Sequence, residues 1–240
     1  MRSLIAALLL ACVFGTAEAQ QDAALSVAAP GYHQLTLRDT DRRYTLVIPE
    51  GYSANRPVPL VVSLHYGGEV SPFYGRGLLE TLIEPALREL GAIFVAPDSA
   101  AGDWANPLAA RHVVELLDEI EARYNIDANR TLLTGYSMGG RGTWYLAAHH
   151  PDRFSAAVPI AGLPQPDSAS IDWQTPFYVI HSAADQVLAL QPNRDVVEQL
   201  RARGLAVDLV VVDDLGHYEI PQYRPYLAAA LPWIRAVWND

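Results

Sequence analysis

The stretch TLLTGYSMGGRGTW, residues 131–144, sets four glycines around one serine directly after an apolar run. Its centre, GYSMG, matches the pattern G-x-S-x-G, in which the serine occupies a tight turn between a strand and a helix. Small residues are required two positions before and two after that serine, because side chains there would collide with the neighbouring backbone. The run before the pattern favours a strand, and a helix is expected from Met138 to about His149. The stretch therefore predicts that Ser137 is a nucleophile exposed on a sharp turn. The simpler interpretation is that the glycines only form a bend between a strand and a helix.

Short apolar or β-branched runs alternate with longer helical patterns on both sides of this stretch. The first two runs, GYHQLTLRD and RRYTLVIPE, alternate apolar and polar residues and predict an antiparallel pair. The later runs predict parallel strands covered by helices on both faces. The expected strands are 57–65, 92–99, 131–136, 156–162, 176–182 and 207–214, and the expected helices are 78–90, 108–124, 138–149, 193–204 and 226–238. The fold class is therefore α/β, with a mostly parallel central sheet of about eight strands and helices on both of its faces.

The first residues of the chain differ in composition from the rest. Arg2 precedes the apolar run LIAALLLACVFG, which Ala17-Glu18-Ala19 follows, and this layout predicts a cleaved secretory signal over residues 1–19. The apolar run is shorter than the roughly 20 residues that a spanning helix needs. Residues 20–240 are then expected to form one domain without a large cap, in a periplasmic or secreted protein. A lipid anchor on Cys12, the only cysteine of the chain, is the alternative.

Charge and composition exclude several classes of function. The net charge is −10, and no basic patch interleaves with aromatic residues, which disfavours binding to nucleic acid. The chain contains no lysine, which excludes a Schiff-base lysine, a phosphate-loop lysine and a Ser-x-x-Lys nucleophile. Of the seven histidines, the adjacent His149 and His150 point apart at the end of a helix, so no metal and no cofactor are expected.

A serine hydroxyl is a weak nucleophile until a base removes its proton, so the pattern predicts an acid and then a histidine later in the chain. His217, in DDLGHYEI, follows a predicted strand and is the expected base. Asp185, in SAADQV, follows the strand FYVIHS and is the expected acid. Asp214 and Asp213 are its rivals, although they lie so close to the histidine on the same strand end that they would crowd its loop.

The oxyanion formed by attack on an ester needs two N–H donors aimed at one point. Met138, directly after the serine and at a helix N-terminus, is expected to supply one of them. Gly67, in the sequence HYGG after a predicted strand, is expected to supply the other, with Tyr66 as the alternative. Trp104 could line a substrate pocket or cap the core. The candidate pocket residues are His65, Trp104 and Tyr136.

The segments SLHYGGE, LLTGYSMGGRGTWYLAAHHPDRFSAAVPIAG, VIHSAADQVL and DLGHYEI together resemble the α/β-hydrolase superfamily. Within it, the chain is most similar to the phospholipase/carboxylesterase and dienelactone hydrolase-like esterase group, which includes predicted peptidases and feruloyl and polyhydroxybutyrate esterases. The resemblance covers residues 44–238. It implies Ser137 as nucleophile, Asp185 as acid and His217 as base, with Met138 and the His65 loop as oxyanion hole. The chain departs from the group at Tyr66, Ser182 and Tyr218, where glycine is common.

The expected function is that of a serine hydrolase that cleaves a small-molecule or polymer-linked carboxylic ester through an acyl-enzyme. A peptidase, a thioesterase or an acyltransferase would use the same three residues. A binding module that has lost catalysis is the alternative from another class.

Overall fold

The computed structural model describes residues 28–99, 101–166 and 170–239. The signal predicted for residues 1–19 and the alternative anchor at Cys12 lie outside these ranges. None of the helices in the described part of the chain combines the length and apolar character that crossing a bilayer requires.

The described residues form one eight-stranded sheet flanked by helices. The strands are β1 (Gly31–Thr36), β2 (Arg43–Ile48), β3 (Val58–Leu64), β4 (Ile93–Pro97), β5 (Ile126–Tyr136), β6 (Ala156–Ile160), β7 (Phe177–Ser182) and β8 (Val207–Val212). The helices are α1 (Gly75–Leu78), α2 (Glu84–Leu87), α3 (Pro107–Arg123), α4 (Met138–His149), α5 (Gln191–Ala202), α6 (Arg224–Ala228) and α7 (Leu231–Trp238).

The strands lie in the order β1-β2-β4-β3-β5-β6-β7-β8. β1 pairs antiparallel with β2, and β2 pairs antiparallel with β4. All other pairs are parallel. The α/β fold class and its antiparallel entry pair are thereby confirmed. The central strands β3, β4, β6 and β7 are buried along their whole length, which is why they are continuous apolar runs rather than alternating ones.

Two apolar layers cover the sheet, because successive strand residues point to opposite faces. Leu60 and Val62 of β3 belong to the layer that contains residues of α3, α4 and α5, while Val61 between them belongs to the layer that contains residues of α1, α2, α6 and α7. In the first layer, Trp144 of α4 stacks on Phe177 with ring centroids 4.4 Å apart. This packing holds the second half of α4 against the sheet.

Two predicted helices are interrupted, and proline is present at both places. The helix expected over 78–90 is divided by a π-helical turn, Leu79–Ile83, after which Pro85 stands in the first turn of α2. The helix expected over 226–238 is divided into α6 and α7, with Pro232 in the first turn of α7. Proline has no N–H to donate and its ring crowds the preceding turn, so a helix restarts there more easily than it continues.

The turn between β5 and α4 depends on close backbone contacts. Ser137 has φ 55° and ψ −113°, its N–H donates to the Ile160 carbonyl at 2.9 Å, and its own carbonyl accepts from the Arg141 N–H at 2.9 Å. A Cβ atom on Gly139 would overlap the Leu64 carbonyl at the end of β3, and one on Gly140 would lie 2.6 Å from the Ile160 oxygen. Only glycine fits at these two positions, because any side chain there would overlap the neighbouring backbone. The turn that they form includes Ser137 with its positive φ.

A Gly139→Ala substitution tests this requirement. We expect it to lower the free energy of unfolding by about 3 kcal/mol or more, because either α4 or β3 must move to admit the methyl group. Gly77→Ala is the control: its Cβ would meet only the Tyr66 hydroxyl, at 3.9 Å, in an exposed helix. Urea denaturation of both variants should separate them, and equal stabilities would contradict the steric explanation.

Candidate active site

Three loops at the carboxyl edge of the sheet bring the predicted residues together. Ser137 follows β5, Asp185 lies in the loop after β7, and His217 lies in the loop after β8. Ligands of open α/β sheets bind outside this edge, because the loops that leave parallel strands there converge. Residues far apart in the sequence thus meet above neighbouring strands.

A continuous line of hydrogen bonds joins these side chains. Ser137 Oγ lies 2.8 Å from His217 Nε2, and His217 Nδ1 lies 2.7 Å from Asp185 Oδ2. A carboxylate can only accept, so Nδ1 carries the ring proton and Nε2 presents its lone pair to the serine hydroxyl. The arrangement can therefore take a proton from Ser137 and stabilise the imidazolium that results.

The carboxylate of Asp185 is fully enclosed and yet remains charged. Its side chain is 0% exposed, and burial by itself would raise the pKa of this carboxyl. The hydrogen bond from His217 and those from the backbone N–H groups of Leu188 (2.8 Å) and Val187 (2.9 Å) outweigh burial and hold the pKa below its ordinary value. Oδ1 receives the two amides, which leaves Oδ2 for the histidine.

The rival acids take no part in this line. Asp213 and Asp214 are exposed at the end of β8, and it is Asp185 that bonds to His217. The backbone of His217 is fixed separately: its N–H donates to Gln186 Oε1 at 3.0 Å, and its carbonyl accepts from the Tyr136 hydroxyl at 2.7 Å.

Two residues near the histidine, Gln186 and Glu219, were not predicted from the sequence. Gln186 follows Asp185 in the chain and binds the histidine backbone across the site, while Glu219 accepts the N–H of Gly216. Burial raises the pKa of Tyr136, so its hydroxyl stays protonated as a donor. In the sequence, only their positions could have indicated a role: Gln186 directly follows the candidate acid, and Glu219 lies two residues after the candidate base.

The loop after β3 lies against the first turn of α4. A Cβ atom on Gly67 would be 3.8 Å from Met138 Sδ, so the two residues are neighbours. Met138 begins α4, where the first N–H groups of a helix have no intrahelical partner. The expected donors are thus brought to the same side of Ser137.

His65 fixes the shape of that loop from behind. Its Nε2 accepts from the Ser99 N–H at 3.0 Å, so Nδ1 carries the proton and donates to the Tyr66 carbonyl at 2.7 Å. The C=O and N–H of one trans peptide point in opposite directions, so Gly67 N–H points away from His65. Burial lowers the pKa of His65, which keeps the ring neutral.

The candidate pocket residues fall into two groups. Tyr136 lines the cleft at Ser137. His65 and Trp104 are buried behind the loop that follows β3, where Trp104 Nε1 donates to the His65 carbonyl at 2.9 Å. The structure does not bring these two side chains into the cleft, and their place beneath the loop agrees with the core interpretation of Trp104.

The cleft has two lobes that meet at Ser137 and Met138. One, of about 400 Å³, is lined further by Arg141, Leu163, Pro164, Pro166 and Leu188. The other, of about 380 Å³, is lined further by Tyr66, Gly67, Tyr136, Val187, His217, Tyr218 and Ile220. Tyr218 and Val187 are 74% and 48% exposed, which leaves the second lobe open to solvent. Within the described ranges, no group of histidine, cysteine and acidic residues has the arrangement of a metal site.

Comparison with known proteins points to one family. Residues 37–219 match the family model described as "Putative esterase". The chain is 30% identical over 146 residues to "Probable feruloyl esterase C" of Aspergillus niger, covering 56% of this chain and 50% of that protein. It is 28% identical over 179 residues to feruloyl esterase D of Neurospora crassa, covering 68% of this chain and 58% of that protein. The matched region thus spans about half the length of these curated relatives.

A solved structure supports the fold. The crystal structure of a thermostable esterase superposes with a TM-score of 0.70 at 24% identity, covering 85% of this chain and 62% of the other.

The lowered pKa of Asp185 predicts a specific dependence of stability on pH. Its folded-state pKa lies below the unfolded value of about 3.9, so its contribution is present above that pH and is lost as the pH falls through the folded value. We therefore expect the difference in unfolding free energy between wild type and Asp185→Asn to shrink below about pH 4. Urea denaturation over a pH series measures it, and Asp213→Asn, on an exposed carboxylate, should follow the wild-type curve.

Proposed function

The chain belongs to the esterase family, and from this premise we propose that it hydrolyses carboxylic esters through an acyl-enzyme on Ser137. In this proposal His217 is the general base and Asp185 is the acid that orients it. The observation that carries the proposal is the line of hydrogen bonds at 2.8 and 2.7 Å from Ser137 Oγ to the buried carboxylate. The chemistry requires no cofactor.

Acylation begins when His217 Nε2 takes the proton of Ser137 while Oγ bonds to the ester carbonyl carbon. Negative charge develops on the carbonyl oxygen, where the N–H groups of Met138 and Gly67 and the positive end of α4 stabilise it. When the tetrahedral intermediate collapses, its C–O bond to the alcohol breaks and His217 gives its proton to the departing oxygen. The alcohol leaves neutral, and the acyl group remains on Ser137.

Deacylation repeats these steps with water. His217 takes a proton from the water molecule as its oxygen attacks the acyl carbon, and then returns that proton to Ser137 Oγ as the acid leaves. Ser137 is partly exposed and Tyr218 beside the base is largely exposed, so solvent reaches the acyl-enzyme. Such access favours transfer of the acyl group to water over transfer to another acceptor.

The other functions considered for this site are less well supported. A peptidase or a thioesterase would use the same hydrogen-bonded residues, and membership of the esterase family favours the ester. A binding module would need neither a serine with φ 55° nor an enclosed carboxylate aimed at a histidine. A non-glycine residue with positive φ costs free energy, and such strain is concentrated at functional sites.

One lobe also indicates a class of ester. Tyr66, Tyr136 and Tyr218 line the same lobe of the cleft as His217. Aromatic side chains favour a ring packed edge to face or offset, which is worth about 0.5–1.5 kcal/mol beyond its buried area. The two curated relatives named above are feruloyl esterases by name, which agrees with an ester that carries an aromatic ring. We therefore propose aromatic esters, either free or linked to a polymer, as substrates.

Replacing the nucleophile tests the mechanism. In Ser137→Ala, hydrolysis of p-nitrophenyl butyrate should fall by at least about 10,000-fold, because no acyl-enzyme can form. A fluorophosphonate probe should add to Ser137 in the wild type, as located by mass spectrometry of peptides, and the exposed Ser71→Ala should behave as wild type. A label on another residue, or turnover that survives in Ser137→Ala, would refute the proposed nucleophile.

A second pair of variants tests the acid. Asp185→Asn should lower kcat by about 10,000-fold, because an amide in place of the carboxylate favours the wrong tautomer of His217. Asp214→Asn should stay close to wild type, because its carboxylate is exposed and does not bond to the histidine. The reverse order of activities would assign the acid to Asp214.

The aromatic lobe makes a separate prediction. Tyr218→Ala should raise KM for methyl ferulate by about 2- to 10-fold, the loss expected for one aromatic contact, and should leave KM for methyl butyrate nearly unchanged. Leu163→Ala, in the other lobe, is the matched control. Equal changes of KM on the two esters in Tyr218→Ala would contradict an aromatic preference in the lobe that Tyr218 lines.

A further inference from the structure

Two buried polar residues stand behind the candidate acid and have no part in the proposed reaction. His181 lies at the end of β7 and Asn193 lies in the first turn of α5, and both are 0% exposed. Neither can touch a substrate in the cleft. Burying an imidazole and an amide is costly unless hydrogen bonds compensate, so their partners indicate what they do.

The hydrogen bonds of Asn193 determine which ring nitrogen of His181 carries the proton. Asn193 Nδ2 lies 2.9 Å from the Gly162 carbonyl and 2.8 Å from His181 Nδ1. The opposite amide orientation would place Oδ1 against a carbonyl oxygen, which cannot donate, so Nδ2 is the donor to both. His181 Nδ1 is therefore an acceptor, and the ring proton stands on Nε2.

That proton points to the loop from Asp185 to Leu188, which is called the acid loop below. His181 Nε2 donates to the Leu188 carbonyl at 2.8 Å, and the same nitrogen lies 3.6 Å from Asp185 Oδ2. The N–H of Leu188 in turn donates to Asp185 Oδ1 at 2.8 Å. Leu188 is thus held at both its carbonyl and its amide, and its amide fixes the oxygen of the carboxylate that faces away from His217.

The opposite tautomer of His181 would undo this arrangement. With the proton on Nδ1, the lone pair of Nε2 would face the Leu188 carbonyl and the Asp185 carboxylate, and both contacts would be repulsive. Burial also lowers the pKa of His181, so the ring is neutral and depends on Asn193 to select the tautomer. Each polar contact of the pair leads to the loop that carries Asp185 or to the backbone at Gly162.

We propose that His181 and Asn193 are positioning residues for the acid, which hold the loop from Asp185 to Leu188 so that Oδ2 is aimed at His217 Nδ1. Asn193 acts through His181, and His181 acts through Leu188. The inference rests on the proposed function for its kinetic consequence. Its structural consequence, the geometry of the bond between His217 and Asp185, does not depend on that function.

The kinetic test compares Asn193→Leu, His181→Phe and the double variant. Each single variant should lower kcat on p-nitrophenyl butyrate by about 10- to 100-fold, the usual loss when a supporting residue is removed, and should change KM by less than about 2-fold. The double variant should be no slower than His181→Phe by more than about 2-fold, because Asn193 acts only through the ring. Losses that multiply, or a KM that rises with them, would overturn the proposed order of action.

Two further variants separate positioning from packing. His181→Gln keeps an N–H that can reach the Leu188 carbonyl and should retain kcat within about 3-fold, which also covers the case in which His181→Phe does not fold. Thr175→Val removes another buried hydrogen bond, from the Thr175 hydroxyl to the Ala147 carbonyl, and should leave kcat unchanged. If Thr175→Val lost as much activity as Asn193→Leu, the effect would be general destabilisation and the proposal would fail.

A spectroscopic measurement keeps this inference apart from the proposed function. The proton shared by His217 Nδ1 and Asp185 Oδ2 should give a resolved downfield proton resonance in the wild type. In Asn193→Leu this resonance should broaden or move upfield, and nitrogen shifts should report loss of the Nε2–H tautomer of His181. A wild type without esterase activity would refute the function while leaving this test intact. An unchanged resonance in Asn193→Leu would refute the positioning role even in an active enzyme.

Discussion

The close approach of the first turn of α4 to the end of β3 is the constraint on which the site depends. At Gly139 there is no room for a Cβ atom beside the Leu64 carbonyl, so helix and strand meet backbone to backbone. The tight turn that this contact permits includes Ser137 at φ 55°. It also brings Met138 against Gly67 in the loop that continues β3. One packing contact therefore positions both the oxygen that we propose as the nucleophile and the N–H groups that we propose as its oxyanion donors.

A buried carboxylate completes the arrangement, and its stability comes from what surrounds it. Asp185 has no exposed side-chain surface, yet hydrogen bonds from His217 and from the amides of Val187 and Leu188 satisfy its oxygens. Fixed dipoles of this kind replace water without having to reorganise when the histidine becomes charged. In the proposed mechanism, the cost of enclosing this charge is therefore met once, on folding, and does not recur when His217 is protonated.

Features that have local causes could be predicted from the sequence, and so could Asp185 and His217, from their order along the chain and their places after strands. Other features made by distant contacts could not be predicted. The glycines around Ser137 and the apolar runs before it act within a few residues, so the turn, α4 and the parallel strands were predicted closely. The pairing of His181 with Asn193 depends on how α5 docks beside β7, and no spacing in the sequence encodes that. Trp104 was ambiguous for the same reason, since only the fold decides whether an apolar ring faces the cleft or the core.

The acid loop separates the two lobes of the cleft, and this limits how the protein can diversify. Val187 lines one lobe and Leu188 lines the other, while the backbone amides of both hold the same oxygen of Asp185. An insertion or deletion here would alter both binding surfaces and displace the acid at the same time. Substitutions in the outer walls, at Tyr218 or along Leu163 to Pro166, would instead change one lobe and leave Asp185 in place. We therefore expect the length of the loop at Val187 and Leu188 to be more constrained than the identity of the residues that line the outer sides of the two lobes.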